Sequence, residues 1–285
     1  MNINWYPGHM KKTKESIQKN LKMVDLVFEL IDARIPYSSQ NPVIDSIVGD
    51  KPRLIILNKS DLADSNSNKI WQDYFAAKDI PSVLVDSLTG KGLDKLMKIA
   101  IELTEEKRMA FEKRGVINRP TRAMIIGIPN VGKSTLINSL SGRKGTKTGN
   151  RPGITKSNQW IKTKGMLELL DTPGILWPKF EDQTVGLNLA FTGAIKDEIL
   201  DTETLALKLL ERLLSYFPNL ITNRYGIEIK DENALNIMIE IAKKRGCIIR
   251  GGEIDYTKVS SIILDEFRKG IIGNITLELP QELRT

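Results

Sequence analysis

Three short runs carry residue types suited to phosphate, a divalent cation and a purine base. Gly127-Ile128-Pro129-Asn130-Val131-Gly132-Lys133-Ser134 combines two glycines with a lysine and a hydroxyl at phosphate-loop spacing. It follows the apolar run Ala123 to Ile126 and precedes Thr135 to Leu140, which reads as a helix. In that strand–loop–helix context the glycines let backbone N–H groups, from Asn130 through Thr135, converge on phosphates at a helix N-terminus. Lys133 is then expected on the β- and γ-oxygens, and the Ser134 hydroxyl on magnesium.

Asp171-Thr172-Pro173-Gly174 follows an apolar run. A carboxylate there can hold magnesium through water, and the N–H of Gly174, which has no side chain, can approach a γ-phosphate. Between the two runs lies Arg151-Pro152-Gly153-Ile154-Thr155. Thr155 is the candidate switch threonine, closing on magnesium when the γ-phosphate is present.

Asn58-Lys59-Ser60-Asp61 follows the apolar run Arg53 to Leu57. The Asp61 carboxylate can accept from guanine N1–H and the exocyclic amine, a donor pair that adenine lacks. Lys59 can lay its stem along the base, and Asn58 can tie this loop to the phosphate loop. Ser87, in Asp86-Ser87-Leu88-Thr89-Gly90, is expected to place a backbone N–H near guanine O6. In an ordinary small G protein the phosphate loop leads and the base motif trails. Here the base motif comes first, which implies a circularly permuted GTP-binding domain.

The elements needed to position these loops are legible in outline. Residues 10–24 have the three-and-four spacing of an amphipathic helix. Asp25 to Ile31, Arg53 to Leu57, Ser82 to Val85, Ala123 to Ile128 and Leu167 to Leu170 are mostly continuous apolar runs, as for strands covered on both faces. Helical patterns between several of them include one over Leu93 to Arg114, whose charged C-terminal half is expected to be a solvated helix or linker. The alternation predicts an α/β fold with a mostly parallel, Ras-like sheet over residues 1–180. Beyond that, patterns around Leu205–Phe217, Ala234–Ala242 and Val259–Phe267 predict a small all-helical domain over 181–285.

The net charge of +7 is unevenly spread. Residues 1–185 hold 29 Lys+Arg against 20 Asp+Glu, a net of +9, and residues 186–285 hold 13 against 15, a net of −2. Between Lys107 and Lys164 there are 14 basic residues and one acid, Glu112, more cations than one triphosphate needs. That field suits a polyanionic partner. The single cysteine, Cys247, allows no internal disulfide or cysteine-based zinc site and reads as a small buried residue. No apolar run is long enough to span a bilayer, and no apolar segment follows the N-terminal lysines as in a signal peptide. These features fit a cytoplasmic protein with no membrane role.

The permuted order, together with Trp5-Tyr6-Pro7-Gly8-His9-Met10, Asp32-Ala33-Arg34-Ile35-Pro36, Asp171 through Pro178 and Gly251-Gly252-Glu253-Ile254-Asp255, closely resembles the ribosome biogenesis GTPase A family. The likeness spans nearly the whole chain. It implies late assembly of the large (50S) ribosomal subunit, with 23S rRNA and ribosomal proteins as partners. It also implies GTP hydrolysis stimulated by that subunit, and a helical C-terminal domain akin to RNA-binding ANTAR domains. A monomer is expected.

Many GTPases orient the attacking water with a glutamine after the Asp-x-x-Gly motif; here that position is Ile175. The sole histidine, His9, could position the water or stabilise phosphate charge. The commoner fate of a lone histidine is a surface or capping position, and the resemblance around it favours the catalytic role. The resemblance likewise suggests that Asn130 helps hold K⁺ beside the phosphates. If Thr155 orders with GTP, Arg143, Lys144, Lys147, Arg151 and Lys156 become an RNA-docking surface in that state. A permuted GTPase of the small subunit and a protein-binding switch are the alternatives. The lone cysteine weighs against a zinc module in the first, and the basic field against the second.

Overall fold

The computed structural model describes residues 10–142, 159–163, 165–172, 182–197, 200–229, 231 and 233–282. The chain divides into two compact units, Met1–Gly186 with Thr276–Thr285, and Leu187–Ile275.

The first unit is built on β1 (Leu26–Asp32), β2 (Arg53–Asn58), β3 (Ser82–Val85), β4 (Thr121–Gly127), β5 (Gln159–Lys162) and β6 (Leu167–Asp171). They form one sheet in the order β3-β2-β1-β4-β6-β5, parallel throughout except for β5, which runs antiparallel to β6 at the edge. Every residue of β1 is buried, as are most of those in β2 and β4, which explains their mostly apolar sequences. One core cluster joins α1 (Met10–Leu21) and α2 (Pro42–Val48) to the sheet through Ile17, Leu21, Ile44 and Val48 against Val27, Met124, Ile126 and Leu170. A second packs Trp71 and Phe75 of α3 (Ser65–Ala76) on Ile31, Ile55 and Leu57. Each such buried aliphatic side chain contributes about 2 kcal/mol.

The topology decides where a ligand can sit. From β1 the chain adds β2 and β3 on one side, then returns to lay β4 on the other. The strand order reverses between β1 and β4, and the loops at their carboxyl ends flank the crevice in which open α/β sheets bind ligands. Leu30 and Gly127 are in register there, and a Cβ on Gly127 would lie 2.5 Å from the Leu30 carbonyl oxygen.

Some elements differ from the sequence expectation. The helix expected over Leu93 to Arg114 is two, α4 (Leu93–Glu102) and α5 (Glu105–Glu112). At the break the Thr104 hydroxyl turns back to the Ala100 carbonyl (2.9 Å) and meets the Thr121 hydroxyl (3.1 Å). α4 buries Leu96 and Ala100, whereas α5 buries nothing, matching its charge. The short edge strand β5 has no counterpart among the apolar runs of the sequence.

The second unit contains most of α7 (Gln183–Phe191), then α8 (Thr202–Tyr216), α9 (Pro218–Tyr225), α10 (Ala234–Arg245) and α11 (Tyr256–Arg268). Asp201, Asn233 and Asp255 cap α8, α10 and α11 with their side chains. Arg268 closes the unit, forking onto Asp197 (2.7 and 2.8 Å) and donating to the Ala190 and Phe191 carbonyls. Among the described residues this unit has no strand, only an isolated bridge between Ile248 and Ile254. Cys247 is buried. The sequence reading placed everything after residue 180 in one helical domain; the tail from Thr276 instead belongs to the first unit. Thr276, Leu277 and Glu278 are all buried there, the polar two through hydrogen bonds to loops of the sheet.

Candidate functional site

The loops after β1, β2, β3 and β4 meet at the carboxyl edge of the sheet, and one side chain joins three of them. Asn58, the last residue of β2, is buried; its amide donates to the Val131 carbonyl of the phosphate loop at 2.8 Å. Its Oδ1 accepts from the Ser87 N–H (3.2 Å) and hydroxyl (2.6 Å). The tie between base motif and phosphate loop expected of Asn58 is therefore made. The Ser87 N–H, expected near a base oxygen, is instead committed to Asn58. The next N–H, that of Leu88, lies 2.8 Å from Asp86 Oδ1.

Lys59 follows with φ 56°, a left-handed conformation rare outside glycine. Its ammonium donates to the Asn130 carbonyl (2.8 Å) and to Asp32 (3.0 Å). Burial lowers the Lys59 pKa, and the Asp32 charge opposes that shift. Asp61 is exposed, so its carboxylate is open to a ligand. Partial desolvation, with Asp86 and Asp32 nearby, pushes its pKa up. A donor pair such as guanine's would relieve that strain.

On the phosphate side, Gly132 has φ 105° and caps the N-terminus of α6 (Lys133–Ser141). A Cβ there would lie 2.3 Å from Asn58 Nδ2, so the glycine is required by the Asn58 bridge as well as by its dihedral. Asn130 is also left-handed, at φ 56°. Lys133 is buried, and its ammonium donates to the carbonyls of Gly127 and Ile128, both at 3.0 Å. These bonds leave one of three ammonium donors outside them. Burial pushes its pKa down to about 8, although the Asp171 charge pulls the other way. Asp171, buried at the end of β6, is in register with Ile125 of β4, the strand that leads into the phosphate loop. Thr172 is fixed by donating to the Ile125 carbonyl of β4. Val131 is buried, whereas Ser134 and Thr135 lie half-buried on the first turn of α6. A buried carboxylate facing a phosphate loop that carries a hydroxyl is a donor set that suits magnesium with retained water.

His9, Thr155, Gly174, Ile175, Arg143, Lys144, Lys147, Arg151 and Lys156 lie outside the described residues.

The sequence reading assigned no site role to several residues that hold these loops. Asp32 is buried and accepts a fork from Arg34, with Nε at 2.9 Å and Nη2 at 2.7 Å, besides Lys59. Burial alone would raise its pKa, but the Arg34 and Lys59 cations hold it well below the usual carboxylate range. An Asp-x-Arg directly after a buried strand was the available signal. Ser139, on α6, donates to the Ser87 carbonyl at 2.6 Å and so ties the phosphate helix to the base side. Nothing local marks Ser139.

This site, in this strand order, defines the chain as a circularly permuted GTPase. A family model described as "50S ribosome-binding GTPase" matches residues 122–249. The chain is 46% identical to the ribosome biogenesis GTPase A of Bacillus licheniformis, covering 99% of this chain and 100% of that protein. It is 47% identical to that of Priestia megaterium, over 99% and 98%. The mitochondrial ribosome-associated GTPase 1 of Mus musculus is 32% identical, over 96% and 89%. GNP-bound YlqF from T. maritima superposes with a TM-score of 0.65 at 25% identity, covering 95% of this chain and all of that one. The chain belongs to the ribosome biogenesis GTPase A family.

Proposed function

We propose that the protein binds and hydrolyses GTP as a late assembly factor of the large ribosomal subunit, which stimulates the hydrolysis. The observation that carries this reading is the Asn58 bridge, which joins a base motif and a phosphate loop widely separated in sequence. The relatives' names supply the ribosome.

Asp61 reads the guanine edge, and Lys59, steadied by Asp32, lies along the base. The N–H groups of residues 130–135 and the Lys133 ammonium cradle the phosphates. Ser134, Asp171 and Thr155 would hold Mg²⁺, which when bound neutralises charge on the β- and γ-oxygens. Asn130 would help hold K⁺ beside them. Water attacks the γ-phosphorus, the bond to the β–γ bridging oxygen breaks, and GDP and phosphate leave. Because Ile175 cannot hydrogen-bond that water, His9 orients it. Gly174 senses the γ-phosphate. The basic run containing Arg143, Lys144, Lys147, Arg151 and Lys156 docks rRNA in the GTP state, and the helical unit offers a second, ANTAR-like RNA contact. Ser87 serves the base through Asn58. On this reading the protein is a cytoplasmic monomer.

The test is the GTP hydrolysis rate in K⁺ buffer, alone, with purified large subunits and with small subunits, for wild type and His9→Ala. Stimulation by the large subunit alone, lost in His9→Ala at unchanged GTP affinity, is expected. Equal rates in all three conditions would overturn the ribosomal role, and equal rates for the two proteins would overturn that of His9.

A further inference from the structure

The chain leaves the helical unit at Ile275 and re-enters the first unit at Thr276. Hydrogen bonds of Thr276, Leu277 and Glu278 reach the loops after β1 and β2 and helix α3, on the base side of the site. The Thr276 hydroxyl accepts from the Asp64 N–H at 3.1 Å, just beyond Asp61 and at the N-cap of α3. The Leu277 N–H donates to the Arg34 carbonyl at 2.8 Å. The Glu278 carbonyl accepts from the Trp71 indole at 3.0 Å. The Glu278 carboxylate accepts from the N–H groups of Tyr37 (2.9 Å) and Ser38 (3.0 Å) and from the Ser38 hydroxyl.

These bonds bracket the base motif. On one flank, Arg34 and the turn through Ser38 follow Asp32, whose carboxylate takes the Lys59 ammonium; Arg34 itself forks onto that carboxylate. On the other flank, Asp64 lies next to the turn that carries Asp61. Glu278 is 6% exposed although it is a carboxylate, and a buried charge is retained where its hydrogen bonds fix a conformation. Charged acceptor bonds of this kind are among the stronger ones.

We propose that the segment Thr276–Glu278 is a positioning strap for guanine recognition, with Glu278 and Thr276 as positioning residues that set the Lys59 and Asp61 loops from either side. The strap follows directly in sequence on the helical unit. The inference rests on the GTP-binding reading of the site and specifies what holds its base half.

Inosine triphosphate lacks the exocyclic amine that Asp61 reads, so the ratio of GTP to ITP affinity reports the placement of that carboxylate. A merely structural lesion would weaken both nucleotides alike. Glu278→Ala is expected to lower the GTP:ITP ratio by about threefold to tenfold and to speed GDP release by a similar factor. The loss should fall on KM rather than kcat. Glu278→Gln, which keeps one acceptor oxygen, should recover most of the ratio. Thr276→Val, a milder change on the opposite flank, should lower the ratio in the same direction and serves if Glu278→Ala does not fold. An unchanged ratio in a folded Glu278→Ala, or in Thr276→Val if the former is unfolded, overturns the strap and leaves the nucleotide site intact. A wild-type protein with no preference for GTP over ITP overturns the strap together with the reading beneath it.

Discussion

The base side and the phosphate side of the site are held by different physics. On the base side, long-range side-chain bonds set the loops: Asn58 on Val131 and Ser87, Lys59 on Asp32, Glu278 on Tyr37 and Ser38. On the phosphate side the loop is shaped largely by its own backbone. Gly132 supplies a dihedral and a gap, and Lys133 is steadied by two carbonyls of the same loop. Permutation explains part of the contrast. With the phosphate loop and base motif far apart in sequence, in reversed order, the base loops are coordinated by residues from both ends of the chain. Base recognition should therefore respond to distant substitutions, and phosphate binding to local ones.

The largest expected effect is a change of base. Asp61→Asn replaces two acceptor lone-pair sites by an amide that can donate to xanthine O2. Selectivity should move from GTP toward XTP by about 10³-fold or more, measured as a ratio of Kd values. Unchanged selectivity would remove Asp61 from the base site. A smaller effect should follow Asp32→Asn, which leaves Arg34 and Lys59 with a weaker partner. GTP and GDP affinity should drop about tenfold, since hydrogen bonds to charged groups contribute roughly 1.5–3 kcal/mol. Phosphate-side binding, read with inorganic triphosphate, should barely move. If triphosphate affinity falls as far as GTP affinity, the two sides are not separable.

The smallest effect is a pH dependence of the phosphate side. Lys133, with a pKa near 8 in the folded protein, lies below an ordinary lysine. Phosphates favour its charged form, so binding raises that pKa. Nucleotide affinity should be flat below about pH 8 and fall above it, by at most about tenfold per pH unit. Stability of the nucleotide-free protein should run the opposite way. Between about pH 8 and 10 the unfolded chain holds more protons on this group than the folded one, so stability rises with pH there. Lys133→Met should make both slopes shallower by removing this group's contribution.

The same contrast governs what could be read from the sequence. The phosphate loop, Asp171 and the Asn58–Asp61 run were legible because each is a local pattern at the end of an apolar strand, and the chemistry fixes the residue types. The parallel strands were legible because burial on both faces leaves mostly continuous apolar runs. The Lys59–Asp32 and Ser139–Ser87 bonds were not, because which side chains meet depends on strand order. The return of Thr276–Glu278 was invisible for the same reason: its partners lie more than two hundred residues away. The break at Thr104 was hidden because the hydroxyl that turns the chain needs Thr121 as its neighbour. Edge strand β5 holds a half-exposed Trp160 and two polar residues in four positions, too little apolar pattern to announce itself.

The most direct test of a guanine site assembled from both ends of a permuted chain is calorimetric titration of wild type and Asn58→Ala with GTP, GDP and ATP in the presence of Mg²⁺. Wild type should bind GTP and GDP and leave ATP unbound at the same concentrations. Asn58→Ala, with the bridge to Val131 and Ser87 removed, should lose both guanine nucleotides. Equal binding of ATP and GTP by wild type, or undiminished GTP binding by Asn58→Ala, would contradict the account.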